Sequence, residues 1–197
     1  MKLMHEGKGL VPLAPPFLKV GEQLIAQTPN ILAYLAPRLH LVADDEPSRV
    51  SAHQIQLTIA DLLNEAHDVH HPIASSLYYE DQKAEAKRRA PIFLAERVPK
   101  FLGYFERAIE TNEAGQGVHV LGSGVTYVDL SLFQLMSGLT YAFPKAMKKL
   151  APKISRLRAL ADHVAGRPRM AAYLASSRRL PFNEKGIFRY YPELDEG

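Results

Sequence analysis

The segment between Ala14 and Tyr34 carries the only β-strand pattern in this sequence, and it is short. It contains a Pro-Pro step, two brief apolar stretches separated by Gly21, and a polar pair that opens a helix. Period-2 alternation occurs nowhere else in the sequence. We therefore expect β structure to be confined to about residues 16–26, and more than half of the chain to be helical.

The start of the helix after this hairpin carries two signals. Thr28 is a residue type that caps helices, and Pro29 then occupies the favoured first helical position. The unpaired N–H groups at such an end suit a carboxylate. The Pro15–Pro16 step can offer a backbone carbonyl to an extended peptide, especially if the bond is cis. The segment fits a small anionic peptide, and an ordinary hairpin followed by a helix is the alternative.

Helical periodicity takes over beyond an acidic stretch at residues 44–46. Acidic residues followed by Pro47 are typical of a first helical turn, which places a domain boundary near residues 39–46. The predicted fold class is mostly α. A partial α/β segment over residues 1–40 precedes an all-helical domain over residues 41–197.

Two prolines and the chain end add to this prediction. Pro91 and Pro99 should break or kink the helix that contains them. The closing residues 178–195 are rich in Arg and aromatic side chains, unlike a disordered tail, so we predict that they pack back over the helical domain. The predicted helices span about residues 28–36, 48–79, 81–110, 126–141, 152–165 and 168–177.

Composition narrows the function classes. The chain has 197 residues, of which 47% are hydrophobic and 23% charged, and its net charge is +3. The basic residues are dispersed, which gives nucleic-acid binding little support. No apolar run reaches 18 residues, so we predict no membrane span. The absence of cysteine excludes disulfides, thiolate zinc sites and cysteine nucleophiles, and it agrees with a cytoplasmic protein.

A capping box marks the start of a helix that is apolar almost all round. Thr126 and Asp129 have the spacing in which the Thr side chain accepts from the amide of residue 129 and the carboxylate accepts from the amide of residue 126. A helix without a polar face belongs in a core. Its apolar residues are Tyr127, Val128, Leu130, Leu132, Phe133, Leu135, Met136 and Leu139.

In this order along the chain, these features resemble cytosolic glutathione S-transferases. The Pro-Pro step, the hairpin and the polar pair at residues 27–28 are similar to the second half of their thioredoxin-like domain. The capped apolar helix and the stretch at residues 166–175 resemble their helical domain. The resemblance covers roughly residues 12–180 and implies a glutathione-binding segment followed by the all-helical domain, assembled as a homodimer.

The resemblance also implies a set of glutathione contacts. Pro16 would be the cis-proline, and Pro15 would pair its backbone with the cysteinyl part of glutathione. Gln27 and Thr28 would hold the γ-glutamyl carboxylate, with Thr28 replacing the usual Ser. Asp61 would reach across the dimer interface to the glutathione ammonium, for which an anionic partner is needed. A surface carboxylate is the alternative for Asp61.

Three histidines lie close together near the end of the same predicted helix. His67 and His71 are four residues apart, with His70 between them, and such a pair can bind zinc. No Glu-x-x-His arrangement accompanies them, so we predict no metal site. The resemblance implies that His67 and His71 line the pocket for the small-molecule electrophile. Solvated or hydrogen-bonded histidines are the plainer alternative.

One departure from the family pattern bears on activity. The transferases activate the glutathione thiol with a Tyr, Ser or Cys near the first strand, and none occurs here before Tyr34. Residues 1–14 are too few for a βαβ unit, so the first half of the thioredoxin-like domain is expected to be missing. The predicted function is glutathione conjugation, with thiol activation impaired by the absence of that segment. A non-catalytic dimeric binding or scaffold protein is the alternative.

Overall fold

The computed structural model describes residues 10–195. Its β structure is one antiparallel hairpin of β1 (Phe17–Val20) and β2 (Gln23–Ala26), in which Phe17 pairs with Ala26. Gly21 has a positive φ of 57° in the two-residue turn, a conformation that glycine adopts without steric cost. No further strand is found between residues 27 and 195, and more than half of the chain is helical, so the predicted fold class is confirmed.

Eight α-helices follow the hairpin in the described part of the chain. They are α1 (Thr28–Arg38), α2 (Glu46–His70), α3 (Lys83–Ile92), α4 (Val98–Thr111), α5 (Tyr127–Ala142), α6 (Pro144–Leu150), α7 (Ser155–Gly166) and α8 (Pro168–Leu174). The non-helical residues 39–45 lie where we predicted a domain boundary. None of the helices between residues 10 and 195 is long and apolar enough to span a bilayer.

We predicted that the Thr28 side chain caps α1. That prediction is wrong, because the helix begins one residue earlier, at Thr28 itself. Thr28 is already helical, Gln27 occupies the N-cap position, and no side chain caps this end. The cause is local: Gln27 has a φ of 68°, and its carbonyl accepts the amide of Ile31 at 2.9 Å. The amides of the first turn are therefore left without a side-chain acceptor within residues 10–195.

Helix α2 ends at His70, nine residues before the predicted end near residue 79. The residue before a proline is disfavoured in the helical conformation, and Pro72 follows His71 directly. The start agrees better with the sequence, since the Asp45 side chain caps the helix by accepting the Ser48 amide at 2.8 Å. The segment between α2 and α3 then closes with a 3₁₀ turn, Tyr79–Gln82.

The two prolines in the second long helix do not break it. Helix α3 contains Pro91 and continues through a π-helical turn, Phe93–Arg97, into α4, whose first turn contains Pro99. Proline has no N–H to donate to the carbonyl four residues earlier, so the hydrogen-bonding pattern must shift near it. A π turn between the two prolines is such a shift, and it keeps the backbone helical from residue 83 to residue 111.

Helix α5 forms the centre of the helical domain, as its apolar surface predicts. It packs against α2 on one side and α7 on the other. Its buried apolar residues join those of neighbouring helices in one core cluster. The largest fully buried side chains of that core are Phe105, Ile59, Leu62, Leu102, Ile109, Leu132, Leu135, Leu139, Ile154, Leu157 and Leu160.

The predicted capping box of α5 is present, and it also holds the loop that precedes the helix. Thr126 and Asp129 form the reciprocal pair, with the Asp129 carboxylate 2.6 Å from the Thr126 amide and 2.7 Å from its hydroxyl. The second carboxylate oxygen accepts the Val120 amide at 2.9 Å, which ties the preceding loop to the helix. Asp129 is fully buried, so its loss would leave these donors without water to replace it.

Two further buried carboxylates cap helices from distant parts of the chain. Glu106 on α4 accepts the amides of Arg156 and Leu157, each at 2.9 Å, in the first turn of α7. Asp195 accepts the amides of Lys145 and Ala146, at 2.7 and 3.0 Å, in the first turn of α6. Helix α6 was not predicted, and its seven residues are too few to be stable alone in water.

The closing segment packs over the helical domain, as predicted from its aromatic content. Phe188 and Leu194 are buried in the core cluster, and Phe182 stacks on Tyr141 with ring centroids 4.8 Å apart. The Phe188 ring lies directly against the backbone of Gly138 on α5, and a Cβ at that position would overlap the ring. Gly138 is therefore required for the close approach of the closing segment.

Replacing Asp129 with Ala should lower the free energy of unfolding by about 2–4 kcal/mol, because it leaves more than one buried donor unpaired. Urea denaturation of the parent and of the variant measures the difference. Asp162→Ala on the exposed face of α7 is the matched control and should change stability by less than about 0.5 kcal/mol. Equal denaturation midpoints for Asp129→Ala and Asp162→Ala would contradict the structural role of the box.

Gly138→Ala should displace the Phe188 ring and destabilise the protein, although alanine favours a helix by about 1 kcal/mol over glycine. Gly103→Ala in α4 is the matched control, because its new methyl group meets only the Arg107 side chain at ordinary contact distance, 3.5 Å. We expect the control to be neutral or stabilising. Limited proteolysis of the closing segment, read by mass spectrometry, should accelerate only in Gly138→Ala, and unchanged cleavage would argue against this packing.

Candidate functional site

The hairpin brings the two parts of the predicted glutathione site together. Because Phe17 pairs with Ala26, Pro16 and Gln27 flank the same open end of the hairpin, one strand spacing apart. The Pro15–Pro16 peptide bond is cis, as the resemblance implies. Both prolines are exposed, as are Gln27 and Thr28. The loop that contains the cis bond and the N-terminus of α1 therefore lie side by side on an exposed surface.

The backbone at Gln27 is unusual for a residue with a side chain. Its φ of 68° lies in a region that non-glycine residues seldom occupy, and such conformations concentrate at ligand sites. This conformation precedes the uncapped first turn of α1. An anion at this point could accept the free N–H groups and meet the positive end of the helix dipole.

Asp61 lies on the outward face of α2 and is exposed. The same stripe carries Val50 and Leu57, whose exposed fractions of 59% and 47% are high for apolar side chains. Helical spacing of three and four residues places all three on one face. Asp61 is thus positioned within a partly apolar surface and away from the core.

The three histidines at the end of α2 form a packed cluster. His67 stacks on His71 with ring centroids 4.9 Å apart, and His70 meets both rings edge-on. His67 is half-buried, whereas His70 and His71 are buried. Among residues 10–195, no group of three or more His, Asp or Glu side chains is arranged to hold a metal ion.

The closing segment determines which ring nitrogen of His70 carries the hydrogen. His70 lies with Nε2 2.7 Å from the Ile187 carbonyl oxygen, so Nε2 carries the donating hydrogen. Its Nδ1 is then the acceptor for His71 Nδ1, 2.5 Å away. Burial, opposed in part by the Ile187 contact, lowers the pKa of His70 to about 4. Burial and the positive charge of Arg189 also lower the pKa of His71, so both rings are neutral at pH 7.

A second contact of the closing segment occupies Tyr79. Its ring stacks on Tyr191 at 3.7 Å between centroids, and its hydroxyl donates to Glu193 at 2.9 Å. Burial and this carboxylate raise the pKa of Tyr79 well above its usual value. Tyr78 beside it is 79% exposed. The hydroxyl of Tyr79 is therefore committed to Glu193 and is not available to a ligand.

Sequence reasoning missed these partners of the closing segment. The aromatic content of residues 178–195 indicated that the segment packs, yet it could not indicate that the Ile187 carbonyl meets His70 or that Glu193 meets Tyr79. These contacts join residues more than 110 positions apart in the sequence. The only sign in the sequence that the two segments meet was a pair of adjacent tyrosines in each, at residues 78–79 and 190–191.

The comparisons with known proteins agree with this architecture. Residues 67–177 match the family model described as "Glutathione S-transferase, C-terminal domain". Among curated proteins, the chain is 23% identical over 166 residues to a glutathione S-transferase of Plasmodium falciparum (isolate 3D7), an alignment that covers 83% of this chain and 70% of the relative. Because the family model matches more than half of the chain, the protein belongs to the glutathione S-transferase family.

Solved structures show the same fold. A Pi-class glutathione S-transferase of Onchocerca volvulus superposes with a TM-score of 0.60 and 21% identity over 78% of this chain. The alignment spans 65% of that protein, which is less than two thirds of its length. The glutathione S-transferase Blo t 8 superposes with a TM-score of 0.68 and 20% identity, covering 89% of this chain and 73% of that one.

Acidification should destabilise the fold at His70, because protonation would place a charge on a buried ring. A pKa lowered in the folded state means that the stabilisation is complete above pH 6.5 and is lost as the pH falls toward 4. Between pH 7 and pH 5, the Tm of His70→Gln should fall by about 2–4 °C less than the Tm of the parent. The reason is that the glutamine amide can donate to the Ile187 carbonyl without titrating. His40→Gln, at an exposed position, is the control. Parallel Tm–pH curves for His70→Gln and the parent would contradict this role.

Proposed function

We propose that this protein binds glutathione at the open end of the hairpin and that its reaction is conjugation of the glutathione thiolate to an electrophile. The observation that carries the proposal is the uncapped, exposed N-terminus of α1 beside the cis Pro15–Pro16 bond. Few surfaces combine free helix N–H groups with an adjacent backbone able to pair with a peptide. Membership of the family supports the same ligand.

Each part of glutathione has a partner in this proposal. The backbone of Pro15 pairs with the cysteinyl residue, while the Gln27 side chain and the Thr28 hydroxyl donate to the γ-glutamyl carboxylate. Asp61 of a second copy would pair with the ammonium group, since a charged amine binds best to a carboxylate. The electrophile would lie near the stacked rings of His67 and His71, beside the closing segment that contacts His70.

A non-catalytic binding role is the second candidate, and one observation favours it. Thiol activation requires a hydroxyl or thiol donor near the sulfur. Tyr79 is not free to serve as that donor, because its hydroxyl is held by Glu193.

Thr28→Val should weaken glutathione binding by about tenfold, because it removes a hydrogen bond to a charged group. Isothermal titration of glutathione into the full chain measures this change. Thr111→Val, at the exposed end of α4, deletes the same hydroxyl from a site outside the proposal and should bind as the parent does. Equal affinities for Thr28→Val and Thr111→Val would exclude the proposed carboxylate contact.

Steady-state conjugation of a chloronitrobenzene by the same preparation separates the two candidates. If conjugation is the reaction, glutathione should bind and the electrophile should turn over well above the uncatalysed rate, because a neutral thiol alone is a poor nucleophile. Strong turnover would favour the transferase and point to an activating residue such as the exposed Tyr78. Binding without turnover would favour the non-catalytic role.

Dimerisation through the outward face of α2 is part of the same proposal. Val50 and Leu57 are exposed apolar residues beside Asp61, and a hairpin on its own is marginally stable without cover. Leu57→Glu should shift the protein from dimer to monomer in sedimentation at micromolar concentration. Leu180→Glu, at a position that is 75% exposed elsewhere, should leave the dimer intact. A parent that sediments as a 22.0 kDa monomer would refute the proposal.

A further inference from the structure

A chain of two hydrogen bonds runs from the closing segment through the histidine cluster. The Ile187 carbonyl oxygen can only accept, so His70 Nε2, 2.7 Å away, is the donor. His70 is neutral at pH 7, because burial lowers its pKa to about 4, and a neutral ring carries a single hydrogen. His70 Nδ1 is therefore an acceptor, and His71 Nδ1, 2.5 Å from it, is the donor of the second bond. This chain leaves His71 with its lone pair on Nε2.

The Nε2 atom of His71 is open to a ligand. No residue between 10 and 195 forms a hydrogen bond with it. His71 has an exposed fraction of only 9%, yet its Nε2 is not one of the fully buried nitrogens without a partner, which belong to His53 and His119. The atom therefore reaches the surface of the cluster, where it presents an unsatisfied acceptor.

Backbone and ring contacts hold this acceptor in place. His71 is the C-cap of α2, its amide donates to the His67 carbonyl at 3.2 Å, and Pro72 restricts the backbone that precedes it. The ring is also stacked on His67, with centroids 4.9 Å apart. Turning the ring over to present a donor would break its bond to His70. The direction of the Nε2 lone pair is thus set before any ligand binds.

We propose that His71 Nε2 selects electrophiles that carry a hydrogen-bond donor, such as a hydroxyl or an amide N–H, close to the reacting carbon. This inference rests on the proposed function, in which the electrophile lies beside His67 and His71. A ligand donor satisfies the lone pair, whereas an ether or carbonyl oxygen would set one lone pair against another. Burial and the charge of Arg189 lower the pKa of His71, so the acceptor is available at pH 7.

Conjugates of glutathione test this selection without requiring turnover. The probes are S-hydroxyethyl-, S-hydroxybutyl- and S-hydroxyhexylglutathione, each paired with its methyl ether. Isothermal titration into the full chain should find at least one alcohol that binds about tenfold more tightly than its ether. His71→Phe keeps a flat ring and should remove this preference. His163→Phe, at an exposed position on α7, is the matched control and should keep it within about twofold.

Long-range proton–nitrogen correlation spectra of the histidine rings test the hydrogen-bond chain itself. At pH 7, His71 should be protonated on Nδ1 and unprotonated on Nε2, whereas the exposed His40 is the internal reference and should average between tautomers. A hydrogen on His71 Nε2, equal affinities of alcohol and ether at every chain length, or a preference that persists in His71→Phe would each overturn the proposal. If none of the conjugates binds, the proposed function fails and this substrate class with it, whereas the spectra still decide whether His71 Nε2 is an acceptor.

Discussion

Buried carboxylates that cap helices from distant parts of the chain are the interaction on which this fold depends. A helix N-terminus has amides with no intrahelical acceptor, and inside a protein each must find one or cost free energy. Glu106 on α4 supplies the acceptor for α7, and Asp195 at the chain end supplies it for α6. Asp129 does the same within α5 while holding the loop before it. These contacts fasten α7 to α4 and α6 to the closing segment.

The capping by Asp195 also anchors the closing segment over the end of α2. Between α8 and Asp195 the segment forms no β-strand and no α-helix, so it is held by individual contacts with the helical domain. The Phe188 ring against Gly138, the Ile187 carbonyl at His70, and Glu193 at Tyr79 are three such contacts. The histidine cluster proposed to line the electrophile pocket is therefore covered by the least regular part of the chain. Access to it depends on how firmly these contacts hold.

The sequence predicted the features that are local and missed those that join distant residues. The hairpin, the capping box and the apolar character of α5 each follow from a few neighbouring residues, and each was found. The cis bond was expected from the family resemblance and is present. Helix α6 was missed because its stability comes from Asp195, which lies 45 or more positions away from it. The π turn was not predicted either, since Pro91 and Pro99 indicate a disturbance without specifying its geometry. The predicted binding residues remain predictions, although the hairpin register places Pro16 beside Gln27.

The proposed carboxylate contact at the start of α1 differs in kind from a contact with a flexible charged side chain. There an anion would be held by backbone N–H groups whose direction the helix fixes, so the contact would be directional. The cis Pro15–Pro16 loop beside it fixes a second part of the same surface in the same way. Two rigid backbone elements at a set spacing suit a peptide that is recognised along its length.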